Sequence, residues 1–364
     1  FLFMIILGIE TSCDETAVAV LDCKNNNIKI LSNIVSSQIE IHQKYGGVVP
    51  EVAAREHILN ILPVVNEAIE KAEISPANHS LLKKNKKNKI DAIAVTAGPG
   101  LITSLIIGVE TAKTLAYAWQ IPIIGINHIE GHICANFINQ EIKKSRNQEK
   151  IEFPALILTV SGGHTLLILM KEHENYKIIG ETRDDAAGEA FDKAAKLLNI
   201  GYPGGPAIAA EAARVKSQKS KVESICLPRP MLNDKSFDFS FSGLKTALLY
   251  AIQKDKNWKE KIPEYCEEFQ QAVIDVLITK TIKAAQKLNC KTIMLSGGVS
   301  ANKELRSQLD VAIKTKLINT KLVAPEFEYC TDNAAMIATA GYFYAKRKDF
   351  TPWQKIKADC NKEF

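Results

Sequence analysis

A chain of 364 residues is longer than one core comfortably organises, so two domains are expected. Hydrophobic residues at 46% and charged residues at 24% exclude a disordered chain, and no apolar run reaches the roughly 18 residues that a helical membrane span requires. A net charge of +5 is too small to argue for a polyanionic partner by itself.

At the N-terminus, Phe1 to Leu7 is apolar but short, with no basic n-region and no small-residue cleavage site. It reads as a first strand rather than a signal peptide, with Met4 a candidate true start. Ile5 to Leu21 then gives a strand, a tight turn and a second strand. Asp14 and Glu15 in that turn suit magnesium or an activated water, and as turn residues they also have an ordinary explanation. The apolar pattern from His57 to Ile69 is a helix that either packs in the core or offers a docking face.

The stretches 78–89 and 140–151 are polar and lysine-rich, with Lys83, Lys84, Lys86, Lys87 and Lys89 in the first and Lys143, Lys144 and Arg146 in the second. They read as solvated loops to which a phosphate backbone could be attracted. Ile90 to Thr96 is a strand ending in Gly98-Pro99-Gly100, followed by a helical pattern to Trp119. Ile121 to Ile126 is a short strand running into Asn127 and His128.

Ala155 to Leu169 repeats the opening hairpin pattern, and Lys291 to Leu295 is a strand ending in Ser296-Gly297-Gly298 before a helix from about Asn302. Strand, glycine turn and helix recur, which reads as α/β. Two hairpins, each opening its own α/β half, suggest a duplicated fold with an interdomain cleft, although two generic hairpins could also match by coincidence. On this reading residues 1–126 form the N-terminal half, completed by a helix at about 332–347. Residues 127–331 form the C-terminal half with the metal and nucleotide motifs, and 348–364 is a basic, loosely held tail. The eight cysteines show no C-x-x-C pair and are expected to be free buried thiols in a reducing cytosol.

The sharpest motif is His128-Ile-Glu-Gly-His132. An i, i+4 spacing sets both imidazoles on one helix face, where they can share a metal; two structural histidines satisfied by hydrogen bonds would show the same spacing. Glu130 is misplaced for the zinc-protease H-E-x-x-H pattern and would point away from the metal face, which weakens a metalloprotease reading. Asp332, ahead of an apolar helix, is either that helix's cap or a third ligand. Two histidines and an aspartate with open positions suit Fe(II) or Zn(II), and the sequence does not choose between them.

Ser161-Gly162-Gly163, Gly204-Gly205 and Ser296-Gly297-Gly298 are turns whose backbone can approach phosphate closely. Together they suggest a nucleotide site without a Walker A lysine or a Rossmann fingerprint. Asp192, in Asp184-Asp-Ala-Ala-Gly-Glu-Ala-Phe-Asp-Lys193, could bind a ribose hydroxyl or an amine, or simply lie on a solvated helix face.

These motifs closely resemble the TsaD family, the tRNA N6-adenosine threonylcarbamoyltransferases once called O-sialoglycoprotein endopeptidases. The likeness runs through Gly8 to Thr16, Tyr45 to Glu51, Gly98 to Gly100, Asn127 to His132, Val160 to Thr165, Asp184 to Lys193, Tyr202 to Pro206, Phe239 to Lys245, Ser296 to Asn302 and Thr331 to Ala335. Ser-Gly-Gly-His-Thr looks like the bacterial branch. The lysine-rich 83–89 and 141–150 segments and the residues before Met4 fall outside the family pattern.

The resemblance implies an actin/Hsp70/sugar-kinase-like (ASKHA) fold. It implies that His128, His132 and Asp332 hold one divalent metal, iron in the first place and zinc as the alternative, with magnesium accompanying the nucleotide. It places the nucleotide-activated substrate against Thr159, Val160, Ser161, Gly162, Gly163, Asp192, Gly205 and Asn302. The implied reaction moves a threonylcarbamoyl group from threonylcarbamoyl-AMP to N6 of adenosine 37, in the anticodon loop of tRNAs reading ANN codons. Asp14 and Glu15 are the candidate catalytic bases. A TsaB-like paralogue and a TsaE-like ATPase are the implied partners, in the cytoplasm and with no membrane. A small-molecule kinase or a nucleotide-binding scaffold on the same fold are the rival readings.

Overall fold

The computed structural model describes residues 3–25, 27–74, 89–138, 151–217 and 225–363. The lysine-rich stretches therefore lie outside the described residues, except for Lys89 and Ile151. In chain order the first elements are β1 (Phe3–Glu10), β2 (Glu15–Lys24), β3 (Asn27–Ser37), α1 (Ile39–Gln43) and α2 (Pro50–Lys71). They are followed by β4 (Ala92–Gly98), α3 (Ile102–Trp119), β5 (Ile123–Asn127) and α4 (His128–Cys134). A second series runs β6 (Ala155–Val160), β7 (Thr165–Glu172), β8 (Asn175–Glu181), α5 (Ala187–Leu198), α6 (Gly204–Ser217), α7 (Ser242–Lys254), α8 (Ile262–Leu288), β9 (Thr292–Ser296), α9 (Lys303–Lys316) and β10 (Lys321–Val323), before α10 (Ala334–Arg347).

Two compact units result, Phe1–Gln148 with Pro325–Phe364, and Glu149–Ala324. Each holds one five-stranded sheet, in the orders β3-β2-β1-β4-β5 and β8-β7-β6-β9-β10. In both, the first three strands form an antiparallel meander, and the fourth and fifth add in parallel beside the first. Strand for strand the topologies are the same, so the paired hairpins of the sequence mark a duplicated fold.

The apolar run of β1 makes it a central strand buried on both faces. Its period of two sends Ile5, Leu7 and Ile9 into one core with Ile61, Val64 and Val65 of α2 and Val109, Ala112 and Ala116 of α3. Ile6 faces the other way, against Met336, Ile337 and Tyr342 of α10. In the second unit a single core joins Leu156, Leu158 and Val160 of β6 to Phe191 of α5, Leu244 of α7 and Phe269 and Val273 of α8. No helix among the described residues is long and apolar enough to cross a membrane.

Three expectations change. The helix carrying the histidines belongs with the first sheet, not with the second half, because it packs on α10: a Cβ on Gly131 would meet Ile337 Cδ1 at 2.6 Å. The basic tail is anchored rather than loose, with Ile356 buried and the amides of Thr351 and Asp359 donating to Ile123 O and Ala97 O. All eight cysteines are free, but Cys226 and Cys360 are exposed and Cys13 is partly so.

Candidate metal centre and nucleotide loops

The metal motif begins where β5 ends. Asn127 is extended and caps α4, its Oδ1 accepting from the amides of Ile129 (2.8 Å) and Glu130 (3.4 Å). His128 is therefore the first helical residue and His132 lies one turn on, with the rings edge to face and 4.6 Å between centroids. Between them Gly131 lies close to α10: a Cβ there would sit 2.6 Å from Ile337 Cδ1, and the tip of that side chain would have to shift. Glu130 points away from the pair, as its spacing predicts, and accepts from Tyr344 Oη at 2.9 Å.

Asp332 comes from the approach to α10. That helix is capped by Asn333, whose side chain accepts from Met336 N at 3.0 Å, so the capping role considered for Asp332 is filled by its neighbour. Asp332 Oδ1 lies 3.5 Å from His128 Nε2 and 3.2 Å from His132 Nε2. One ligand atom from each of the three residues falls within 4.8 Å of the others. Yet His132 is buried, and neither of its ring nitrogens makes a hydrogen bond to any described residue. Buried polar groups are normally satisfied; this imidazole pair beside a carboxylate has the donor set a divalent cation takes.

One residue the sequence reading missed is Glu10. Fully buried at the end of β1, its carboxylate accepts from Ser12 N at Oε1 and from Thr96 Oγ1 at Oε2, and Oε2 lies 3.2 Å from His128 Nδ1. Ser12 Oγ also reaches that nitrogen at 3.1 Å. Such a carboxylate contact orients the imidazole and leaves Nε2 facing Asp332. Burial by itself would push the Glu10 carboxyl up, but His128 beside it more than offsets this and holds it below the usual range. The available signal was a lone acid ending an otherwise apolar strand.

Asp14 ends the β1–β2 turn and is buried, and Glu15 opens β2 and is half-buried. Burial first, then Asp14, Asp332 and Glu10, push the Glu15 carboxyl well above its ordinary value.

In the second unit, Thr159 and Val160 are fully buried in β6, and Thr159 Oγ1 sits 2.7 Å from Ser296 Oγ. They brace the glycine turns from behind. Ser161 closes its own turn, its amide donating to His164 O (2.8 Å) and its hydroxyl accepting from His164 N (3.1 Å). Gly162 and Gly163 are exposed, and a Cβ on either would meet nothing within 4 Å. Asp192 Oδ1 accepts from Gly204 N at 2.6 Å, tying α5 to the start of α6, where Gly205 also faces open space. Asn302 caps α9 through Leu305 N (3.0 Å) and donates to Gln270 Oε1 (2.8 Å). Asp192 and Asn302 thus have structural duties that the sequence did not reveal.

The sequence model of the TsaD family, described as tRNA N6-adenosine threonylcarbamoyltransferase, matches residues 29–339. The chain belongs to the TsaD family. A family member from Syntrophomonas wolfei subsp. wolfei, bearing the same enzyme name, is 48% identical over 349 residues, covering 96% of this chain and 94% of its own. One from Thermosipho africanus is 47% identical over 346 residues, covering 94% and 95%. Among solved structures, HypF of T. kodakarensis superposes with a TM-score of 0.57 at 12% identity, over 97% of this chain and 49% of that one. The chain thus spans about half the length of HypF, and at that identity the likeness concerns fold alone. With the duplicated sheets, it gives the ASKHA class expected for the TsaD family.

Proposed function

We propose that this chain transfers a threonylcarbamoyl group from threonylcarbamoyl-AMP to N6 of adenosine 37 in tRNAs reading ANN codons, with AMP leaving. Family membership supports the transferase class and the tRNA acceptor. The observation that carries the metal dependence is the His128, His132 and Asp332 cluster, in which both ring nitrogens of His132 are buried without a hydrogen bond to described residues and Nε2 lies 3.2 Å from Asp332 Oδ1. These three residues would hold the ion, and Glu10 would orient His128. When bound there, a divalent cation would supply Lewis-acid chemistry toward the carbamoyl group. Two imidazoles and one carboxylate with open positions suit Fe(II), the metal the family resemblance implies in the first place, with Zn(II) the alternative.

The amides of Gly162 and Gly163 would hold phosphate oxygens, and the amide-rich start of α6 at Gly205 would favour the same negative charge. Asp192 would take a ribose hydroxyl. The attacking exocyclic amine must lose a proton. Asp14 and Glu15, side by side where β2 begins, would be the groups to take it. A TsaB-like paralogue and a TsaE-like ATPase complete the proposal. In support, α2 buries Ile61, Val64 and Val65 while exposing Ile58, Leu59 and Leu62 as a docking face.

The test is mass spectrometry of nucleosides from unmodified ANN-decoding tRNA, incubated with the chain, its partners and threonylcarbamoyl-AMP. Threonylcarbamoyladenosine is expected, and it should vanish with His128→Ala or a chelator. Undiminished product from a folded, metal-free variant would overturn the metal role.

A further inference from the structure

Asn127 links two parts of the first unit, the start of the metal-ligand helix and the segment Thr351–Glu363. Its Oδ1 takes the amides of Ile129 and Glu130. Its Nδ2 donates to Lys362 O at 3.3 Å and Glu363 O at 3.0 Å. Two N–H groups on one side and two carbonyls on the other permit only one orientation of the amide, so its plane is fixed by both partners together.

The segment has its own anchors. Thr351 N donates to Ile123 O (3.1 Å) and Asp359 N to Ala97 O (2.8 Å), so it is fastened to β5 and β4. Ile356 is 4% exposed and packs beside Gly125. Asp359 O sits so close to Gly98 that a Cβ there would lie 1.8 Å from it. A turn, Lys362 N to Asp359 O at 3.2 Å with Asn361 N to Asp359 Oδ1 at 3.0 Å, then presents the two carbonyls to Asn127.

Against this fixed partner, α4 is only seven residues long, well short of what holds a helix together unaided. Its start is therefore set by what grips it, and His128 follows Asn127 directly. We propose that Asn127 is a positioning residue through which the segment Thr351–Glu363 fixes the start of the metal-ligand helix and thereby sets metal affinity. The affinity part rests on the metal reading given above; the coupling of segment to helix does not.

Serine caps a helix about as well as asparagine but is too short to reach the Lys362 and Glu363 carbonyls. Asn127→Ser therefore keeps the cap and loses the tether, whereas Asn127→Ala loses both. Ile356→Ala loosens the middle of the segment without touching Asn127. The first readout is amide hydrogen exchange at Ile129 to His132 in metal-free protein. The second is the dissociation constant for Co(II), read from its absorption bands.

Asn127→Ser and Ile356→Ala should each speed exchange in α4 and weaken Co(II) binding by about tenfold, the lower end of outer-shell effects. The double variant should be little worse than either single one, because both cut one connection. Wild-type exchange in Asn127→Ser, with loss confined to Asn127→Ala, would reduce Asn127 to an ordinary cap and overturn the proposal. Faster exchange with unchanged Co(II) affinity would overturn its metal part. If the wild type takes up no Co(II), the metal reading fails, and exchange still decides whether the segment grips the helix.

Discussion

His128 uses its two ring nitrogens for different tasks: Nδ1 faces Glu10 Oε2 and Ser12 Oγ, and Nε2 faces Asp332. Glu10 can do this because its carboxylate only accepts, taking Ser12 N and Thr96 Oγ1 as well. In Glu10→Gln the new NH₂ must oppose either the Ser12 amide or the Nδ1–H of His128. The second choice drives the imidazole to the tautomer with its proton on Nε2. Metal affinity should then fall about 10- to 100-fold, measured by Co(II) titration, while the fold survives by circular dichroism. Unchanged affinity would show that Glu10 is only a buried strand end. The proton count gives an independent check. In the metal-free protein burial opposes the charged ring, yet Asp332 and Glu10 raise His128 to about 9. A value above the free histidine near 6.5 means the charged contacts stabilise the metal-free fold below that pH, and this is lost as pH rises through about 9. A ligand imidazole must be unprotonated. Metal uptake near neutral pH should thus expel about one proton, and affinity should climb toward pH 9. Calorimetry with Co(II) in buffers of different ionisation heat measures this directly; zero proton release would mean that His128 is already neutral.

Asp184 shows how an element can depend on a residue far along the chain. The N-terminus of α7 has no cap of its own; Asp184 instead accepts from Phe241 N (2.8 Å), Ser242 N (3.1 Å), Ser242 Oγ (2.8 Å) and Ser240 Oγ (2.6 Å). Desolvation pushes its carboxyl up, but these hydrogen bonds outweigh it and hold it below the usual range. A depressed carboxylate stabilises above its unfolded value and loses that stabilisation as pH falls through the folded one. Asp184→Asn should therefore cost about 1 kcal/mol at neutral pH, as for other lost caps, with the difference vanishing in acid. Urea titrations at two pH values measure it, and equal stability at neutral pH would refute the capping role. The same contrast explains what the sequence could convey. Short-range signals were legible: the i, i+4 histidines, the strand-to-glycine turns and the start of α9 near Asn302 all depend on neighbours. Glu10 was not, because Thr96 and His128 lie 86 and 118 positions away. The basic tail misled because composition counts its lysines, whereas its anchors are backbone groups of Thr351, Asp359, Lys362 and Glu363 and the one buried side chain of Ile356.

At the scale of the molecule, the two units share a topology but not a chain arrangement. The second unit is continuous, and every residue of its core lies between Leu156 and Ile313. The first is interrupted, because α10 returns after the second unit to cover one face of its sheet. Without α10 the side chains of Ile6, Leu21, Ile124 and Ile126 lose much of their cover. At about 1.5–3 kcal/mol for each buried side chain, full exposure of these four would forfeit roughly 6–12 kcal/mol, comparable to the whole stability of a typical domain. Asp332 would be missing as well, since it enters just ahead of α10. A fragment of residues 149–324 should therefore fold alone with a cooperative urea transition. Residues 1–148 alone should be aggregation-prone and bind hydrophobic dye, and supplying residues 325–364 in trans or through a short linker should restore a cooperative transition and Co(II) binding. If residues 1–148 folded unaided, the sheet would not need α10 as its second layer, and the metal centre's third ligand would be an addition to a finished domain rather than a consequence of completing it.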